Sequence, residues 1–113
     1  MSNYYLYSVI LKDCFYGNEV YKMLIKYPRS KFKNVDETNK EKYKKDMNTF
    51  PQIYLKKDNH KDSLLIGGYD KLKELFDLFY KKKYSKNNVD DFIKLNNNFS
   101  KKALLRFIEL INL

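Results

Sequence analysis

Cysteine occurs once in this sequence, at position 14, and histidine once, at position 60. A single thiol cannot close an internal disulfide, so the chain is not a disulfide-stapled scaffold, and one Cys with one His does not make a structural zinc set. Long hydrophobic runs are also missing. No stretch approaches the roughly 18 apolar residues of a membrane span, and the N-terminus lacks the basic-then-apolar pattern of a signal peptide. These absences lead to the expectation of a cytoplasmic protein, in a host cell if the coding genome is viral. Tryptophan is absent and alanine appears once, whereas Lys, Asn, Tyr, Phe and Ile are abundant. That bias has the look of AT-rich coding. Acidic residues are the scarcer sign, 14 Asp plus Glu against 23 Lys plus Arg, for a net charge of +9. Such an excess attracts anionic partners, but coding bias alone can supply solvated lysines, so charge is discounted as evidence of a ligand. At 113 residues the chain fits one domain with its own core.

What is present organises itself around Cys14-Phe15-Tyr16-Gly17. Upstream, Tyr4 to Leu11 (YYLYSVIL) is a nearly continuous apolar and aromatic run, which predicts a strand buried on both faces. Downstream, Val20, Met23, Leu24 and Tyr27 share one face of a helix that should end near Lys26, before Pro28. The spacing therefore puts the only thiol at the first turn of a helix, where the positive end of the dipole favours a thiolate.

Further along, Lys31 to Val35 predicts a short second strand, and Asn39 to Met47, rich in helix formers, predicts a short solvated helix. Thr49-Phe50-Pro51 leads into the strand Gln52-Ile53-Tyr54-Leu55, with a cis peptide expected before Pro51. Lys56 to Asp62 is a polar turn holding His60, which is expected to be exposed, and Ser63 to Ile66 is the returning strand of a hairpin. Gly67-Gly68 then precedes a helix with Asp70 as its cap and Leu72, Leu75, Phe76 and Phe79 on its apolar face. Lys81-Lys82-Lys83 reads as the solvated end of that helix. Val89, Phe92 and Ile93 predict one brief helix. Leu104, Phe107, Ile108 and Ile111, behind Ser100 as N-cap, predict a terminal one.

This order of elements, with Cys14 after the first strand, Pro51 before the third and paired glycines before the third helix, resembles the glutaredoxins. Cys14-Phe15-Tyr16-Gly17 looks like that family's CPYC motif, Thr49-Phe50-Pro51 like its TVP motif, and Gly67-Gly68-Tyr69-Asp70 like its GG-x-D motif. The resemblance implies an α/β thioredoxin fold, a four-stranded mixed sheet flanked by helices, over residues 1–84. Residues 85–113 are then a C-terminal helical extension packed on it. It also implies glutathione as co-substrate, glutathionylated proteins as partners, Cys14 as nucleophile, and no metal. Thr49, Phe50 and Pro51 would present a backbone edge to glutathione. Gly67, Gly68, Tyr69 and Asp70 would hold its γ-glutamyl end at a helix N-terminus. Tyr16 would lie beside the ligand, and Lys12, or else Lys44 or Lys45, would attract its glycyl carboxylate.

Departures from the pattern set the expected chemistry. Gly17 stands where the family's second cysteine would be, so an active-site disulfide within the chain is excluded and a single-thiol route remains. Asp13 puts a negative charge beside the thiol, and Lys71 replaces a second acidic residue after the glycines. Three competing readings follow. One is a catalytically weak module that binds glutathione or a protein in the same groove. Another is a [2Fe-2S]-bridged dimer like that of CGFS-type relatives, whose motif this chain does not match. The third is nucleic-acid binding through tyrosines and lysines, disfavoured because the tyrosines are expected inside a buried strand. A monomer is expected rather than a dimer.

Overall fold

The computed structural model describes residues 3–81 and 84–113; Lys82 and Lys83 of the lysine run lie outside the described residues. The chain runs β1 (Tyr4–Leu11), α1 (Phe15–Leu24), β2 (Ser30–Val35), a 3-10 turn (Lys40–Tyr43), β3 (Gln52–Lys57), β4 (Ser63–Gly67), α2 (Tyr69–Phe79), α3 (Lys86–Leu95) and α4 (Lys101–Ile111). The strands form one sheet in the order β2-β1-β3-β4. β1 pairs parallel with β2 and antiparallel with β3, and β3 pairs antiparallel with β4. This α/β arrangement is a thioredoxin-like fold with two added C-terminal helices.

The period-2 alternation of the strands divides the sheet into two unlike faces. Leu6, Ile53, Leu55 and Ile66 point to the helical side, where they share one core with Val20 and Leu24 of α1 and Leu72, Leu75 and Phe79 of α2. The C-terminal helices join that same core through Val89, Phe92, Phe99, Leu104, Phe107, Ile108, Leu110 and Ile111. Residues 85–113 thus share the core of the preceding fold. The opposite face carries a smaller cluster of Val9, Val35 and Tyr54, with Tyr7, Leu11, Tyr43, Phe50 and Leu65 packed against it. Tyr43 and Phe50 of the segment from Asp36 to Phe50 pack over it, and Tyr5 and Tyr7 are half-buried, not enclosed on both sides as the apolar run suggested.

Capping explains the helix starts at the C-terminal end. The Ser85 hydroxyl accepts from the Asn88 N–H while Asn88 reaches back to the Ser85 N–H, a reciprocal capping box. Ser100 accepts from the Ala103 N–H at 3.1 Å, the cap expected from the sequence. Asn112 then ties α4 to α2, donating to the Phe79 carbonyl at 3.1 Å and accepting from the Lys81 N–H at 2.7 Å. Among the described residues no helix is long and apolar enough to cross a membrane.

Two local expectations are corrected. The predicted helix over Asn39–Met47 is a single 3-10 turn, Lys40–Tyr43. The cap of α2 is Gly68, with Asp70 inside the first turn.

Candidate functional site

Strand register brings three distant segments to one end of the sheet. Val9 pairs with Gln52, so the chain leaving β1 toward Cys14 and the chain entering β3 from Pro51 meet at that end. Ile53 pairs with Gly67, so β4 finishes there too, and α2 starts from the same place. The Phe50-Pro51 bond is cis, as expected. Between these segments lies a groove of about 500 Å³ lined by Tyr16, Met47, Thr49, Phe50, Pro51 and the run Gly67 to Lys71, within the usual size of small-ligand sites. It gathers every predicted glutathione-binding residue except Lys12.

Each wall has a local cause. Gly67 adopts φ +141, a conformation open to glycine and strained for other residues, and a Cβ there would meet the Lys71 Cβ at 2.9 Å. Gly68 lies so close to the Pro51 carbonyl that an added Cβ would sit 3.4 Å from its oxygen, taking up space at the groove floor. The N–H groups that open α2 have no partners within their own helix, which makes this wall receptive to a carboxylate. Tyr16 packs on Tyr69 with ring centroids 5.1 Å apart, linking α1 to α2. Phe15 meets Tyr16 edge-on at 5.2 Å and is 67% exposed.

Gln52 builds the remaining wall. Its side chain is buried, and its amide donates to the carbonyls of Tyr43 at 2.8 Å, Met47 at 3.2 Å and Thr49 at 3.2 Å. Its oxygen accepts from the Tyr54 hydroxyl at 2.8 Å. One amide thus fixes the irregular segment that carries Met47, Thr49 and Phe50. Neither Gln52 nor Met47 was singled out from sequence. The signal for Gln52 was a polar residue at the start of an otherwise apolar strand.

Cys14 is the N-cap of α1, with extended backbone, and is partly exposed. Its carbonyl accepts from the Asn18 N–H at 3.0 Å, and its N–H donates to Leu11 at 3.2 Å. Asp13, at φ 61, makes the left-handed turn from β1 into α1, a conformation Asp tolerates better than most residues. Position 17 is closed to a side chain. A Cβ there would lie 2.8 Å from Ile10 Cγ2 and 3.5 Å from the Cys14 Cβ.

Comparison of the chain with protein-family models, with characterised proteins and with solved structures found no match. The site is therefore read from its own geometry.

The predicted cations lie elsewhere. Lys12 is exposed and does not line the groove; its charge acts on Asp36. That carboxyl is held below its usual range, first by the Thr38 hydroxyl at 2.6 Å and the Thr38 N–H, with the Asn39 N–H and Lys12 adding to them. Lys44 pairs with Glu41 at 2.7 Å, and Lys45 borders a different cleft. Lys71 reaches the groove, but its ammonium bonds Asn96 at 2.6 Å and Glu74 at 3.1 Å. His60 is exposed. No group of three or more His, Cys, Asp or Glu side chains is placed to hold a metal among the described residues.

Proposed function

We propose that this protein is a glutaredoxin-like, glutathione-dependent thiol oxidoreductase that reduces protein–glutathione mixed disulfides with Cys14 as its only thiol. The observation that carries this reading is the groove itself. It joins Tyr16, two positions after Cys14, to the Thr49–Pro51 edge and the Gly67–Asp70 helix mouth. Each wall offers what one part of glutathione needs: the Phe50 backbone for the peptide portion and helix N–H groups for the γ-glutamyl carboxylate. The Asp70 carboxylate can meet the ligand's amino group.

In the reaction, the Cys14 thiolate attacks the glutathione sulfur of the mixed disulfide. That S–S bond breaks, a new one forms between Cys14 and glutathione, and the protein thiolate leaves and takes a proton. A second glutathione thiolate attacks the bound glutathione sulfur, releasing oxidised glutathione and restoring Cys14. No intramolecular disulfide is needed, in keeping with the closed space at Gly17. On this reading the protein works as a monomer in the cytoplasm, where glutathione is reduced. Its partners are glutathione and glutathionylated proteins.

The test is turnover of a glutathionylated peptide by excess glutathione, with amide shifts mapped in parallel. Turnover lost in Cys14→Ser, with Phe50, Gly68 and Asp70 shifting together on addition of glutathione, is the expected result. Shifts without turnover would make the groove a binding module, and neither would overturn the proposal.

A further inference from the structure

The sheet face opposite the helices carries a second constellation that the groove does not use. By register, Lys31 and Lys33 of β2, Tyr5 and Tyr7 of β1, and Tyr54 and Lys56 of β3 all point to this side. The Lys31 ammonium rests 4.3 Å from the centre of the Tyr5 ring, and that of Lys56 rests 4.3 Å from the centre of Tyr7. Beside them is a cleft of about 270 Å³, whose lining includes Tyr7, Lys42, Tyr43, Lys45, Tyr54 and Lys56. The one acid lining it is Asp46, which accepts a long hydrogen bond from the Tyr54 hydroxyl at 3.4 Å. Among the described residues, Lys31, Lys33, Lys42, Lys45 and Lys56 take part in no ion pair, whereas Lys40 and Lys44 of the same covering segment are paired to Glu37 and Glu41.

We propose that this tyrosine–lysine face binds single-stranded nucleic acid, with phosphates on the lysines and bases on Tyr5 and Tyr7. Charge complementarity fixes the sign of the partner, and the rings fix its kind. An acidic peptide would satisfy the lysines and leave the aromatic faces idle, whereas a single strand offers both charges and flat surfaces. Lys31 and Lys56 stand on strands flanking β1, about 10 Å apart at the usual strand spacing. One small anion cannot bridge that spread, whereas an extended strand can lay two non-adjacent phosphates across it. Ammonium groups resting on the rings are held weakly there, and a phosphate draws them aside while a base takes the ring. Stacking on one aromatic contributes about 5- to 150-fold in affinity.

The test is fluorescence anisotropy of a labelled twelve-residue oligothymidine with the whole chain, over a series of salt concentrations. A Lys31→Gln/Lys56→Gln double variant should bind more weakly, with the log–log salt slope reduced by about 1.4, roughly 0.7 for each phosphate no longer neutralised. A Lys101→Gln/Lys102→Gln control removes the same charge from exposed positions at the start of α4, on the helical side, and should bind as the parent does. Tyr7→Leu should weaken binding at least 5-fold with the slope unchanged, its fold checked by circular dichroism. Equal weakening in both lysine pairs would reduce the effect to net charge. Displacement by polyglutamate at matched charge would assign the face to acidic chains instead. Either result, or no binding at 50 mM salt, overturns the proposal.

Discussion

Position 17 shows how one side chain limits the chemistry available to its neighbours. A Cβ there would stand in bridging range of Cys14, 3.5 Å from its Cβ, but the Ile10 branch methyl at 2.8 Å blocks it. Helix propensity would favour Gly17→Ala by about 1 kcal/mol, and the clash with a buried, stiff side chain costs about 1–3 kcal/mol. The clash should win. Urea denaturation is expected to show a net loss of about 1 kcal/mol; a gain would mean that Ile10 yields. Gln52 is the other decisive residue. Gln52→Met keeps the volume but removes the amide that holds three part-buried backbone carbonyls together, so stability should fall by about 1–3 kcal/mol. Amide shifts at Thr49 and Phe50 should move with it, and unchanged shifts there would remove Gln52 as the support of that wall.

Tyr54 adds a pH dependence. Burial, reinforced by the Asp46 charge, pushes its hydroxyl from 10.0 to about 12. Because the folded state holds that proton more tightly than the unfolded chain, the stabilisation is complete below pH 10 and is lost as pH rises toward 12. Alkaline denaturation of Tyr54→Phe should therefore be flatter across that window than that of the parent, and identical curves would count against it.

Among the elements, α2 connects the groove to the rest of the molecule. Its first turn forms a wall of the site, and its last carbonyl, that of Phe79, is bonded by Asn112 from beyond α4. Gly67→Ala would force a strained φ and press on Lys71. It is expected to weaken glutathione binding about 10-fold or more by calorimetry while α2 stays helical by circular dichroism; unchanged affinity would show that the Gly67 turn does not shape the site. Elements with an apolar stripe were legible in the sequence: α1, α2 and α4 lie where Val20 and Leu24, Leu72 and Leu75, and Leu104 and Phe107 put them. Asn39–Met47 was not legible, for a physical reason. Propensity without a buried face stabilises a short helix poorly, and the Tyr43 carbonyl, which a helix would bond to the Met47 N–H, is taken by Gln52. The tyrosines of β1 misled in a different way, counting as apolar in a pattern while keeping one end in water. The groove residues were legible because glycine pairs and X-Pro steps mark special backbone. Lys12 was misplaced because neighbourhood in sequence does not fix the direction of a side chain.

For the molecule as a whole, the C-terminal helices are part of the core. Phe92, Phe99, Leu104, Phe107, Ile108, Leu110 and Ile111 are all buried in it, and at about 1.5–3 kcal/mol each their loss is comparable with the whole of the roughly 5–15 kcal/mol that keeps a domain folded. A chain ending at residue 84 should show no cooperative thermal transition. Phe107→Ala alone should cost about 3–5 kcal/mol, and a sharp transition in the truncated chain would contradict the shared core.

Because α4 packs against β1, β1 leaves the ribosome well before the helix that helps cover it has been made. A nascent chain stopped before residue 101 lacks the share of the core that α4 supplies, so that core closes only once translation has delivered Lys101–Ile111. Until then the exposed apolar surface calls for a chaperone's cover, and arrest-peptide force measurements should register folding late, in a single step.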